Sequence, residues 1–313
     1  MTCCNPALAV MFGSLRSGTT MLRLMLDGHP RLICPGETDF LTDYLRASPN
    51  GRWCYDLDAL AADRIFQASR AKLPKTADAL PAFQAMVSNL RGDEEGCVIL
   101  VAHRGLGKLL KLVPEISILH LVRDPRDVAR SAIGMGWAGN TYYGARTWLK
   151  TEQEWEQVAP YLSLDQSLEL RFEPLVREPE VVMGEICRFL GDQYEPEMLD
   201  YAEYSTYQRP DPALTEQWRR KQTSRELGLT EPLFRDLMIQ RGYEPSGHPP
   251  IYPGSLARLN LRIEHLRSVW RRRIVRYGLW DPLFVTLYGK LGVPSLARPA
   301  QRRMDIITQQ HLK

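Results

Sequence analysis

The sequence predicts a three-layer α/β fold, with a central parallel β-sheet between helices, because short continuous apolar runs alternate with segments of helical period along most of the chain. Two further observations point the same way. The runs are apolar at nearly every position, as strands buried on both faces are, and the first of them ends in a Gly-rich loop that opens a helix.

Residues 7–12 form that first run, stopped by Gly13. A helix over 19–26 follows, with Met21, Leu22, Met25 and Leu26 at helical spacing and Gly28 and Pro30 to end it. Further strands are expected at 31–34, 98–102, 116–122 and 167–171. Residues 38–90 are rich in Ala and Leu with helical patterning and read as a helical insertion, of the kind that builds an acceptor pocket. Asp124 and Pro125 supply an N-cap and a first-turn proline for the helix after the fourth strand. Glu178 and Pro179 do the same before a helix over 181–190, closed by Gly191. The expected organisation is a domain over 1–245, a Pro/Gly-rich linker at 246–254 and a basic helical C-terminal extension at 255–313. No internal repeat is present.

The chain's 313 residues, 44% of them hydrophobic, suffice for a sizeable core and exclude disorder as the main state. A net charge of +3 does not favour a nucleic-acid partner. Cys3, Cys4, Cys34, Cys54, Cys97 and Cys187 form no disulfide framework and read as reduced thiols, hence a cytoplasmic protein. No run reaches the roughly 18 to 20 apolar residues of a bilayer span, so a soluble or at most peripheral protein is expected. The charge is unevenly spread: residues 255–313 carry +9 and residues 1–254 carry −6. Within the extension Leu256, Leu259, Ile263, Leu266, Trp270 and Ile274 recur every three or four residues among arginines, which predicts an amphipathic cationic helix. Packing on the acidic body, an anionic membrane surface, a homodimer contact and an acidic carrier protein all fit that pattern.

The loop GSLRSGTT at 13–20 is placed where backbone N–H groups wrap an anion at a helix start. Gly13 and Gly18 match the spacing of a P-loop, but Thr19 stands where a nucleotide triphosphatase has lysine, and the loop's cation is Arg16. The P-loop-like motif resembles the 5′-phosphosulfate loop of sulfotransferases that use 3′-phosphoadenosine-5′-phosphosulfate (PAPS). The continuation RSGTTMLRLMLDGHPRLICPGET at 16–38 is similar to the tyrosylprotein sulfotransferase branch and its bacterial relatives. That resemblance implies Glu37 as catalytic base, with Arg16, Ser17, Gly18, Thr19 and Thr20 around the 5′-phosphate. The segment VRDPRDVARS at 122–131 resembles the family's 3′-phosphate segment and assigns Arg123 and Ser131 to it. Arg126 and Arg130 are expected on the solvated face of that helix.

Weaker likenesses lie at Trp148, at Arg171-Phe172-Glu173, where Phe172 replaces the family's tyrosine, and at 241–245. Ser205 and Lys221 fall near further cofactor-contacting positions. The branch's lysine after the third strand is missing: the chain reads Ala102-His103-Arg104-Gly105, leaving Arg104, His103 or Lys108 to replace it.

Parallel strands joined by helices present their carboxyl ends on one edge, so Arg16, Glu37, His103, Arg104 and Arg123 are expected to converge. The implied reaction is sulfuryl transfer to a hydroxyl acceptor, a small molecule, natural product or tyrosine-like phenol, releasing adenosine 3′,5′-bisphosphate, with no metal required. Two alternatives stand beside it: a P-loop small-molecule or nucleoside kinase, against which Thr19 argues, and a non-catalytic binding or scaffold protein of the same fold.

Overall fold

Alternation along the first strand, β1 (Leu8–Gly13), sends Ala9 and Met11 into one hydrophobic core and Val10 and Phe12 into another on the opposite face. This is the physical origin of the three layers. The computed structural model describes residues 7–48, 51–291 and 293–311, so Cys3 and Cys4 lie outside the described residues; Cys34, Cys54, Cys97 and Cys187 are free thiols.

After β1 come α1 (Thr19–Asp27), β2 (Leu32–Ile33), α2 (Phe40–Asp43), β3 (Leu45–Ala47), β4 (Trp53–Tyr55), α3 (Leu57–Ala61), α4 (Arg64–Ala68) and α5 (Ala79–Arg91). The chain continues through β5 (Cys97–Ala102), α6 (Leu106–Leu112), β6 (Ser117–Val122), α7 (Pro125–Gly134), α8 (Thr141–Val158), β7 (Ser167–Arg171), α9 (Phe172–Arg177) and α10 (Pro179–Phe189). Four short helices, α11 (Tyr201–Tyr204), α12 (Trp218–Lys221), α13 (Ser224–Thr230) and α14 (Arg235–Gln240), precede α15 (Ser255–Tyr277), α16 (Trp280–Lys290) and α17 (Pro294–His311).

Five parallel strands form the sheet in the order β2-β5-β1-β6-β7. The chain steps from β1 outward to β2 and β5, then crosses to β6 and β7, so the direction of winding reverses at β1. Ligands of open α/β sheets bind in the crevice that such a reversal creates. One core packs α1, α9 and α10 on the sheet, and the other packs α5, α6 and Trp155 of α8. Gly13 sits in the crevice because a Cβ there would meet the Leu121 carbonyl oxygen at 2.5 Å. The closing segment is pinned by buried polar groups: Arg241 Nε donates to Glu152 at 2.8 Å and the Tyr243 hydroxyl to Glu173 at 2.8 Å. No helix among the described residues is long and apolar enough to cross a membrane.

Three expectations are corrected. The segment 38–90 is not wholly helical, because β3 and β4 pair as an antiparallel hairpin. Arg126 is buried rather than solvated, since its guanidinium pairs with Asp124 at 2.7 Å and with Glu231 at 2.9 Å and lies over the Trp218 ring. The extension does pack on the body, but through the face opposite the predicted stripe. Leu261 is buried, His265 and Arg272 bond to residues 139 and 134, and Leu256, Leu259, Ile263, Leu266 and Ile274 stay exposed. At 3.6 residues per turn these two sets lie about half a turn apart.

Candidate active site

All five parallel strands deliver their carboxyl ends to one edge of the sheet. The loop after β1 turns through Arg16, a non-glycine residue at φ +75°, and Gly18 at φ +96°, with the Ser17 N–H bonded to the Ser14 carbonyl at 3.0 Å. Gly18 precedes α1 without a side-chain cap, which leaves the first N–H groups of that helix free of a capping side chain. A Cβ on Gly18 would strike the Phe172 ring at 2.4 Å, so the loop and the end of β7 require glycine there.

Arg16, Ser131 and Arg123 form one cluster. Arg16 Nε donates to Ser131 Oγ at 2.9 Å, and Arg123 donates to the Arg16 carbonyl at 3.0 Å and to the Leu214 carbonyl at 2.7 Å. The Arg123 guanidinium lies 4.2 Å over the Phe172 ring. Burial pulls its pKa below the usual arginine range, partly offset by Asp127 and Glu173. Its Nε is buried without a partner among the described residues, and so is the Ser17 hydroxyl. Arg16, Gly18, Thr19, Thr20, Arg123 and Phe172 line one side of a cavity of about 360 Å³, and residues 206–209, 211 and 214 line the other. Residues 206–209 of that outer wall are irregular chain, without a period to be read in the sequence. Ser205 lies beside it, but its hydroxyl accepts the Tyr207 N–H. Lys221 does not reach the cavity: it is exposed on α12 and bonds to Gln217.

Glu37 follows β2 and extends that strand by a parallel bridge to Val101. Thr38 fixes this approach, since its hydroxyl and N–H both bond to the Val101 backbone. The Glu37 carboxylate is exposed and has no hydrogen-bond partner among the described residues.

His103, at the end of β5, is buried between two partners. Its Nδ1 lies 2.9 Å from Asp39, and its Nε2 lies 3.3 Å from Thr19 Oγ1 of the phosphate loop. Burial alone would raise the Asp39 pKa, but the hydrogen bonds and charge of His103 and the charge of Arg104 hold it below the usual carboxylate range. Arg104 is tied to Asp43 and Asp39, and the Lys108 ammonium to the carbonyls of Thr42 and Leu45. Of the three candidates to replace the missing lysine, His103 is therefore the one in contact with the loop. Asp39 escaped the sequence reading; its position two residues after Glu37 was the available signal.

A second cavity, about 490 Å³, borders this cluster on its other side, with Leu15, His103 and Arg104 in its lining. None of its lining residues comes from 38–90. Apart from Leu15, His103 and Arg104, they come from the loop before α8, from α8 and from α15. Among the described residues no group of three His, Cys, Asp or Glu side chains is placed to hold a metal.

A glycine-containing loop opening a helix at the winding reversal of a parallel sheet, with a largely shielded arginine at a neighbouring strand end, is the arrangement in which α/β proteins commonly hold phosphorylated ligands. The sulfotransferase family's sequence pattern matches residues 9–196, and the chain belongs to that family. It is 26% identical over 273 residues to protein-tyrosine sulfotransferase 1 of Danio rerio, covering 77% of this chain and 73% of the relative. It is 27% identical over 270 residues to protein-tyrosine sulfotransferase 2 of Gallus gallus, covering 77% and 70%. The fold is similar to the sulfotransferase domain of the Synechococcus PCC 7002 olefin synthase, with TM-score 0.60 and 21% identity over 77% of this chain and 96% of that one. It is also similar to the sulfotransferase domain of the curacin biosynthetic pathway, with TM-score 0.58 and 20% identity over 76% and 98%. The protein is thus a sulfotransferase.

Proposed function

We propose that the protein moves the sulfuryl group of PAPS to an acceptor hydroxyl, with Glu37 as general base. The observation that carries the donor assignment is Arg123 Nε at the 360 Å³ cavity, a buried donor that, like Ser17 Oγ in the adjacent loop, has no partner among the described residues. Buried polar atoms of this kind ordinarily have partners, and anionic oxygens would supply them. The uncapped start of α1 fits the same ligand.

In this reading Arg16, Ser17, Gly18, Thr19 and Thr20 hold the 5′-phosphate side, and Arg123 and Ser131 hold the 3′-phosphate. Phe172 supplies an apolar wall. The bound nucleotide supplies the activated sulfuryl group. Glu37 takes the acceptor's hydroxyl proton onto its carboxylate, for which its exposed, uncommitted position suits it. His103, oriented by Asp39, holds Thr19 in place and stands where the tyrosylprotein branch has its lysine. The acceptor is a phenol, tyrosine or alcohol, and the site of action is proposed to be cytoplasmic.

The test is transfer of labelled sulfate. Glu37→Gln is expected to lower transfer about 10²- to 10⁴-fold, the range of a general base, while binding of adenosine 3′,5′-bisphosphate stays at the wild-type level. Undiminished transfer by Glu37→Gln removes Glu37 from this role.

A further inference from the structure

The C-terminal extension lies beyond the residues that match the family pattern, yet it forms a wall of the cavity beside the transfer site. Its helix α15 is seated there by specific contacts. Gly139 lets it approach, because a Cβ at that position would meet the His265 Cα at 2.5 Å, and the Gly139 N–H donates to His265 Nδ1 at 3.1 Å. Asn140 caps α8 with its side-chain oxygen, which accepts the Tyr143 N–H, and its amide donates to the Leu261 carbonyl at 2.9 Å. His265 stacks on Tyr143 at 4.3 Å, and Arg146 lies 4.4 Å from the same ring.

This seating presents Arg262 to a cavity that Arg146 and Lys150 of α8 also line. No aspartate or glutamate lines that cavity, and among the described residues none of these three cations makes an ion pair or donates a hydrogen bond. Arg104, the fourth cation in the lining, is neutralised by Asp39 and Asp43. Across Trp137, which borders both, a cavity of about 850 Å³ continues the positive lining with Arg271, Arg272 and Arg276.

We infer that α15 is part of the acceptor site and that Arg262, Arg146 and Lys150 select an acceptor carrying a fixed negative charge near its hydroxyl. Unpaired cations around a cleft raise the local concentration of anions and leave a neutral acceptor without compensating contacts. The inference rests on the sulfotransferase reading above and deepens it, because it names the acceptor's charge and the residues that read it.

The experiment uses two matched pairs on the full chain loaded with adenosine 3′,5′-bisphosphate: 4-hydroxyphenylacetate against its amide, and 3-hydroxybutyrate against its amide. Calorimetry reads binding whether or not a compound is sulfated. In at least one pair the carboxylate should bind tighter by about tenfold, the scale of partly exposed charge contacts. The preferred pair distinguishes a phenolic from an aliphatic acceptor. Arg262→Gln and, separately, Lys150→Gln should each erase most of that preference while the nucleotide's own affinity and the melting temperature are unchanged. Equal binding of acid and amide in both pairs overturns the inference, as does a preference that survives Arg262→Gln. Failure of the nucleotide itself to bind strikes instead at the proposed function.

Discussion

The two cavities that flank the phosphate loop are built on different principles. At the proposed nucleotide end the cation is largely shielded and held in place: Arg123 lies over Phe172 and is tied to the Arg16 and Leu214 carbonyls. At the acceptor end Arg146, Lys150 and Arg262 are exposed on helix faces without ion-pair partners among the described residues. Fixed donors in a desolvated pocket discriminate by geometry, whereas exposed cations on long side chains discriminate by charge and tolerate varied shapes. In the proposed reading, one chain pairs an exacting donor site with a permissive acceptor site. The exacting site is assembled from strand ends within the family-matching segment, and the permissive one borrows a wall from outside it.

The comparison breaks if variants at one end disturb the other. Arg123→Ala is expected to have the largest effect, weakening adenosine 3′,5′-bisphosphate by about 10²-fold, as loss of a buried charged contact does, with no change in acid-over-amide preference at saturating nucleotide. Calorimetry measures both. Gly139→Ala should act in the opposite sense: the added Cβ meets backbone atoms of residue 265 at 2.5 and 2.7 Å, so α15 must shift. The acceptor preference should shrink severalfold and stability should fall by about 1 to 3 kcal/mol, while nucleotide binding persists.

A more local effect is expected at Asp39, which orients His103 between the two cavities. Its folded-state pKa lies below the usual value, so its contribution to stability is present above the unfolded carboxylate pKa near 4 and is lost as pH falls through the lower folded value. Chemical denaturation of wild type should therefore lose stability on acidification below about pH 4. Asp39→Asn should be less stable by about 1 to 3 kcal/mol at neutral pH and should show a flatter acid profile. Identical profiles would remove the Asp39–His103 pairing from the account.

The strand ends were legible because each lies a few residues past a continuous apolar run. Arg16, His103 and Arg123 needed only parallel topology to meet at the phosphate loop, and Glu37 is set on the same sheet edge by its bridge to Val101. What stayed hidden depended on partners remote in sequence. Arg126 reads as a surface arginine until Glu231 arrives from 105 residues away, and the Asp39 contact with His103 spans 64 residues. The hairpin of β3 and β4 is two strands of three residues each, too short for a period to show. The stripe on α15 predicted a helix correctly but not its orientation, because hydrogen bonds from the Gly139 N–H and the Asn140 side-chain amide outweigh apolar patterning in seating it.

The proposed function requires that the phosphate loop and Arg123 together hold a doubly phosphorylated adenosine. Calorimetric titration of the full chain with adenosine 3′,5′-bisphosphate, against ATP with Mg²⁺ as competitor, tests it most directly. The account predicts saturable one-site binding of the bisphosphate that ATP with Mg²⁺ does not displace and that Arg123→Ala weakens. Binding of ATP with Mg²⁺ in place of the bisphosphate would contradict it and favour phosphoryl transfer.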